Sequence, residues 1–184
     1  KQIKYIILCA ILMQAHLIAG QSPKVETLSL DEGLSQGMIF DIHKDADGFM
    51  WFATKNGLNR YDGYEFKNFT HNPFDTTSIS GDVITKIFED SKGRLWIGTK
   101  SNGLNCYDKL KNEFHRIKVD NIDEFGVVKG IEEDNDGTIW VAIKNHPIIH
   151  IKTPDAKSPF QFNVTTFLKP NFLTGKENIS SLTM

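Results

Sequence analysis

Three tryptophans, and no others, occur in the chain, at positions 51, 96 and 140, with spacings of 45 and 44 residues. Each lies in the same short apolar run after a glycine: Gly48-Phe49-Met50-Trp51-Phe52-Ala53-Thr54, Gly93-Arg94-Leu95-Trp96-Ile97-Gly98-Thr99 and Gly137-Thr138-Ile139-Trp140-Val141-Ala142-Ile143. A fixed period of this length marks a repeat architecture, in which one supersecondary unit is stacked several times because it cannot bury its apolar face alone.

The unit can be read from the residues around each tryptophan. Upstream, an apolar segment runs into Asp45-Ala46-Asp47-Gly48, Asp90-Ser91-Lys92-Gly93 or Asp134-Asn135-Asp136-Gly137. An aspartate accepts hydrogen bonds from nearby backbone N–H groups, and a glycine three residues on supplies a positive φ, so Asp-x-x-Gly predicts a tight hairpin turn between two strands. Downstream, Lys55–Asp62 and Lys100–Asp108 predict a third strand, and Glu65–Phe69 and Glu113–Ile117 a fourth. The third copy, Lys144–Ile151, has lost the glycine that opens this strand. Four antiparallel strands in about 45 residues is the size of a β-propeller blade. The expected fold class is all-β: a propeller of four-stranded antiparallel blades, present as an incomplete N-terminal fragment. The structural repeat core is expected at Trp51, Trp96, Trp140, Gly48, Gly93 and Gly137, with the indoles as packing residues.

Residues 1–20 read differently. Lys1 and Lys4 precede an apolar run from Tyr5 to Leu17, followed by Ala19-Gly20 and polar Gln21-Ser22-Pro23. A basic start, an apolar middle and small residues predict a secretory signal peptide. Residues 21–184 are then the N-terminal part of a sensor propeller. Leu28–Ser35 reads as a lead-in strand and turn, with blade repeats at about 37–69, 83–117 and 125–168, and the start of the next at 178–184. Within the third repeat, Phe160–Val164 and Thr165–Leu168 are candidates for the outer strand. A propeller hides its strand edges only by closing a ring of about four to eight blades. Three blades and one strand therefore imply the remaining blades of the same chain as partners.

The chemistry the sequence offers is sparse. The charge is mixed and nets −2, so no nucleic-acid partner is expected. After removal of the leader Cys106 is the sole cysteine, so no disulfide framework exists; it reads as a half-buried filler on a strand. The acidic turns carry the first half of a calcium loop, but its twelfth position holds Asn56 or Asn145 instead of glutamate, and Lys92 opposes a cation. The histidines show no metal-ligand spacing, and there is neither a nucleophile elbow nor a phosphate loop. No metal, cofactor or catalytic residue is expected. Asn68-Phe69-Thr70, Asn163-Val164-Thr165 and Asn178-Ile179-Ser180 fit the glycosylation pattern. Ligand-binding residues are unknown from sequence; rim loops that break the repeat are where they belong, namely the Tyr61–Tyr64 turn, the His71–Asp82 loop and His146-Pro147.

The runs Gly33-Leu34-Ser35, Asp45–Gly63, Asp90–Thr99 and Gly103-Leu104-Asn105 resemble the two-component-regulator propeller repeat; the third copy departs from it at Ala142-Ile143. The resemblance implies a periplasmic sensor of two seven-bladed propellers, followed by a β-sandwich, a membrane span and a histidine kinase, often fused to a receiver and a DNA-binding domain. It further implies a small-molecule or oligosaccharide ligand, a homodimer, an inner membrane of a Gram-negative bacterium, and membrane attachment only through the leader and a later span. Another output on the same propeller, such as a diguanylate cyclase, and a secreted propeller enzyme or adhesion module remain open alternatives.

Overall fold

The structure, a computed structural model, describes Lys4 and residues 27–119, 125–152, 160 and 162–167. The leader and the strand expected at 178–184 lie outside the described residues.

Among the described residues twelve strands form three sheets of four. Blade 1 comprises β1 (Ile39–Lys44), β2 (Met50–Thr54), β3 (Gly57–Tyr61) and β4 (Phe66–Phe69); blade 2 comprises β5 (Ile84–Glu89), β6 (Leu95–Thr99), β7 (Leu104–Asp108) and β8 (Glu113–Ile117); blade 3 comprises β9 (Val128–Glu133), β10 (Ile139–Ile143), β11 (Ile148–Lys152) and β12 (Asn163–Phe167). Each sheet is an antiparallel meander in chain order. The register is common to the three: Trp51, Trp96 and Trp140 pair with His43, Phe88 and Glu132 on one side, and with Arg60, Cys106 and His150 on the other. The first strand of every blade carries a register shift at the same place, at Ile39/Asp41, Ile84/Lys86 and opposite Ala142/Ile143. Such a bulge increases local twist, and here it falls where each first strand meets its neighbouring blade.

The apolar core lies between blades. Trp51, Leu58 and Phe69 of blade 1 face Ile84, Ile87, Leu95 and Tyr107 of blade 2. Trp96, Leu104 and Cys106 of blade 2 face Val128, Ile131, Ile139 and Ile149 of blade 3. Blade 2 is covered on both faces, so every residue of β6 and β7 is buried. Cys106 is fully buried, not half-buried as its slot suggested, because the blade 3 isoleucines close over it. Burial also pushes its thiol pKa up. Residues 28–35 form a turn held by Gly33 N to Leu30 O and Leu34 N to Ser29 O; the strand expected at the start of this segment is not there. A strand needs a paired neighbour, and these residues lie against blade 1 as a loop, with Asn68 donating to Gly33 O.

Gly57 opens β3 at φ 99°, and a Cβ built there would lie 2.5 Å from the Phe69 carbonyl oxygen. Gly57→Ala is expected to destabilise the chain by about 1–3 kcal/mol, read from the midpoint of urea unfolding.

Candidate functional site

The feature that recurs in all three blades is an aspartate carboxylate placed beneath an indole. Asp45 Oδ2 accepts from Trp51 Nε1 at 2.8 Å, Asp90 Oδ2 from Trp96 Nε1 at 2.9 Å, and Asp134 Oδ2 from Trp140 Nε1 at 2.7 Å. The other oxygen caps the turn: Asp45 Oδ1 accepts from Phe49 N, Asp90 Oδ1 from Lys92 N and Arg94 N, and Asp134 Oδ1 from Asp136 N and Thr138 N. The backbone closes the same loop, with each aspartate carbonyl accepting from the glycine N–H three residues on. Gly48, Gly93 and Gly137 have φ of 93°, 74° and 80°, as this turn requires. The carboxylates that could suggest a cation loop are thus engaged by the protein itself. Trp51 and Trp96 are buried and Trp140 is half-buried.

A second polar set ties the loop before each blade to its middle strands. Ser35 N donates to Asn59 Oδ1 at 2.8 Å, Asn59 Nδ2 returns a bond to Ser35 Oγ, and Thr54 Oγ1 donates to Gly57 O. Blade 2 repeats it with Ser80, Asn105 and Thr99. In blade 3 the threonine and asparagine slots hold Ile143 and Ile149, both buried, so hydrocarbon replaces the polar clamp.

Between blades 1 and 2 the Lys109 ammonium meets Asp47 Oδ2 at 2.7 Å, Glu89 Oε1 at 2.9 Å and Asp45 Oδ2 at 3.4 Å. Burial lowers its pKa, but the bonds to Asp47 and Glu89 and the surrounding carboxylate charge outweigh this and hold it above that of an ordinary lysine. Among the described residues no group of three or more His, Cys, Asp or Glu is arranged to hold a metal ion.

The rim positions are separated by the meander. The Tyr61–Tyr64 turn joins β3 to β4, at the end of the sheet that carries the acidic turns; the His71–Asp82 loop and His146-Pro147 lie at the opposite end. The His71–Asp82 loop is cross-linked by hydrogen bonds: Arg116 donates to the carbonyls of Asp75 and Ser78, His71 N donates to Asp82 Oδ1, and Thr77 donates to Asp75 Oδ1. Phe74 stands almost fully exposed on it, and Tyr64 and Leu110 likewise on the opposite turns. A recess of about 630 Å³ lies between β8 and the residues leading into β12, and a second of about 670 Å³ lies against the hairpin turns of blade 2; they share His115 and Phe160, whose rings stack with centroids 4.1 Å apart. Sequence reasoning missed the first recess because its walls come from strands about 45 residues apart.

Three stacked four-stranded meanders with their core between sheets define a β-propeller. Residues 33–56 and 78–101 match the family model of the two component regulator propeller. Over 49 residues, 27% of this chain, it is 49% identical to "Histidine kinase P4" of Formosa agariphila, of which that stretch spans 4%. The fold matches a structure described as the extracellular domain of a hybrid two component system, BT3049, from B. thetaiotaomicron, with TM-score 0.64, 25% identity, and coverage of 77% of this chain and 20% of that one. It also matches the extracellular domain of BT4673 from the same organism, described as a one component system, with TM-score 0.62, 20% identity, and coverage of 89% and 20%.

Two outcomes are expected from the carboxylate–indole bonds. Asp90→Ala removes the buried carboxylate that pairs with the Arg94 guanidinium and accepts from the Trp96 indole, and costs about 3–5 kcal/mol in urea unfolding followed by tryptophan fluorescence. The indole N–H of Trp140 and the Asp136 contacts hold Asp134 at a pKa of about 2. A depressed carboxylate pKa contributes stability that is present above the unfolded value near 4 and is lost as pH falls through the folded value. The Trp140 Nε1–H resonance is therefore expected to hold its position down to about pH 3 and to shift as the pH falls through about 2.

Proposed function

We propose that this chain belongs to the extracytoplasmic ligand-sensing region of a hybrid two-component histidine kinase that controls transcription. The single observation that carries the reading is the coincidence of two likenesses, one to a histidine kinase and one to the extracellular domain of a hybrid two component system. In this reading residues 1–20 are a signal peptide and residues 21–184 open the propeller in the periplasm. Membrane attachment comes only through the leader and a later span in the inner membrane of a Gram-negative bacterium. The described residues include no helix long and apolar enough to cross a membrane.

The chemistry of the fragment supports reception more than catalysis. Its conserved-by-repeat carboxylates are spent on indoles and turns, whereas the exposed aromatic and apolar groups sit on rigid rim loops, where ligands meet a propeller. The kinase activity belongs to another part of the parent protein. The ligand is a small molecule, an oligosaccharide by preference; exposed Tyr64 and Phe74 present flat apolar faces of the kind that stack on sugar rings. Ligand binding shifts the packing of a homodimer outside the membrane and thereby biases the kinase inside.

Calorimetry on the complete ectodomain with a panel of oligosaccharides tests the ligand class, with a saturable heat expected for at least one sugar. No heat with any sugar overturns the oligosaccharide assignment. A gene product without a membrane span and kinase motifs overturns the signalling assignment.

A further inference from the structure

The two seams between blades follow one pattern, and blade 1 presents the downstream half of a third. At each seam the first strand of the downstream blade lies against the upstream blade and is buried there. Ile84 and Ile87 of β5 are 0% and 7% exposed, and Val128 and Ile131 of β9 are 1% and 4% exposed. The same positions in β1, Ile39 and Ile42, are 38% and 53% exposed, and Met38 and Phe40 beside them are about half exposed. This exposed strip occupies the register positions that are docked twice elsewhere in the same chain.

Each seam also has a polar latch. The last residue of the downstream first strand is a glutamate that takes the backbone N–H just after the aspartate of the upstream turn. Glu89 Oε2 accepts from Ala46 N at 2.8 Å, and Glu133 Oε2 accepts from Ser91 N at 2.6 Å. In β1 this position is Lys44, which has no acceptor and cannot make that bond. At the first seam an ammonium is supplied from elsewhere, by Lys109 in the turn between β7 and β8, and it reaches Asp45 and Asp47 of the upstream turn. Blade 1 has Gly63 in the corresponding turn, so Lys44 is the cation it offers at this edge.

We infer that β1 is the seam of a further blade of the same ring, and that this blade's hairpin turn carries a carboxylate at its third position, Asp-x-Asp-Gly or Asp-x-Glu-Gly, paired with Lys44. A turn of the blade 2 kind, with Lys92 at that position, would set two ammonium groups against each other. The occupant is a segment of the same polypeptide: the solved extracellular domains that share this fold are about five times as long as the part matched here. The charge reversal makes this seam unlike the other two, so the repeats cannot exchange places at closure without losing a latch. The inference rests on the seam geometry and holds whatever the propeller senses.

Zero-length carbodiimide coupling on the full-length protein, followed by peptide mapping, reads the pair directly. The expected product is an isopeptide bond from Lys44 to the third residue of an acidic hairpin turn in the same chain. Mixing ¹⁵N-labelled and unlabelled protein separates couplings within a chain from those between copies. A product joining two copies, a product at a carboxylate outside a hairpin turn, or none from Lys44 while other lysines couple, overturns the proposal. Charge variants give a second reading. Lys44→Glu is expected to melt about 2–4 °C below Lys44→Gln at low salt, with the gap closing in 1 M salt. Equal melting of the two variants also overturns it.

Discussion

Everything in this fold hangs on a carboxylate at the mouth of a hairpin, buried in blades 1 and 2 and half-buried in blade 3. Asp45, Asp90 and Asp134 each divide their two oxygens between the turn backbone and an indole six residues further along. One side chain thereby decides the turn conformation, the start of the second strand and the orientation of the largest residue at the seam. A neutral cap would hold the turn but would satisfy the indole less well, since a charged acceptor makes the stronger hydrogen bond. At Asp90 the charge is balanced by Arg94 on the same turn; at Asp45, which is equally buried, it is balanced by Lys109 from the next blade.

With the indoles so placed, apolar burial becomes a property of pairs of blades. No sheet has a core of its own: Trp51 packs among Phe69 and Tyr107, and Trp96 against Phe162. Stability in such a chain is a sum of repeat terms and seam terms, and the seam terms dominate because most of the buried hydrocarbon is there. The polar latches add register. The Glu89 and Glu133 contacts and the Thr85 bond to the Val128 carbonyl allow each blade one azimuth against its neighbour.

This division of labour suits the receptor role proposed for the chain. Residues that repeat are committed to turns and seams, which leaves the loops between strands as the variable part. In this chain those loops are not slack. The His71–Asp82 loop is cross-linked by its own asparagine, aspartate and serine side chains and gripped by Arg116 from β8, so an exposed Phe74 is displayed on a preorganised support. A rigid display surface loses little entropy on binding.

The 45-residue period, the Asp-x-x-Gly turns and the alternation of apolar strands made the all-β blade architecture legible from the amino acids, because turns and strands are decided by neighbours in sequence. The destination of the turn carboxylates was not read, although their spacing to the indoles is the same in all three copies; aspartate in a turn is sufficient reason for a turn, and nothing local points to the indole. The Ser35–Asn59 and Ser80–Asn105 clamps, the Lys109 cluster, the complete burial of Cys106 and the recess at His115 and Phe160 were out of reach of the sequence. Each joins residues that are far apart along the chain, and their proximity depends on how two twisted sheets pack face to face. Of the strand and turn expected over residues 28–35 only the turn forms, for the same reason: a strand exists only where another edge pairs with it. Local chemistry thus settled what each unit is, and only the packing of one unit on the next decided which polar groups meet, which side chains are buried and which face is left for a partner.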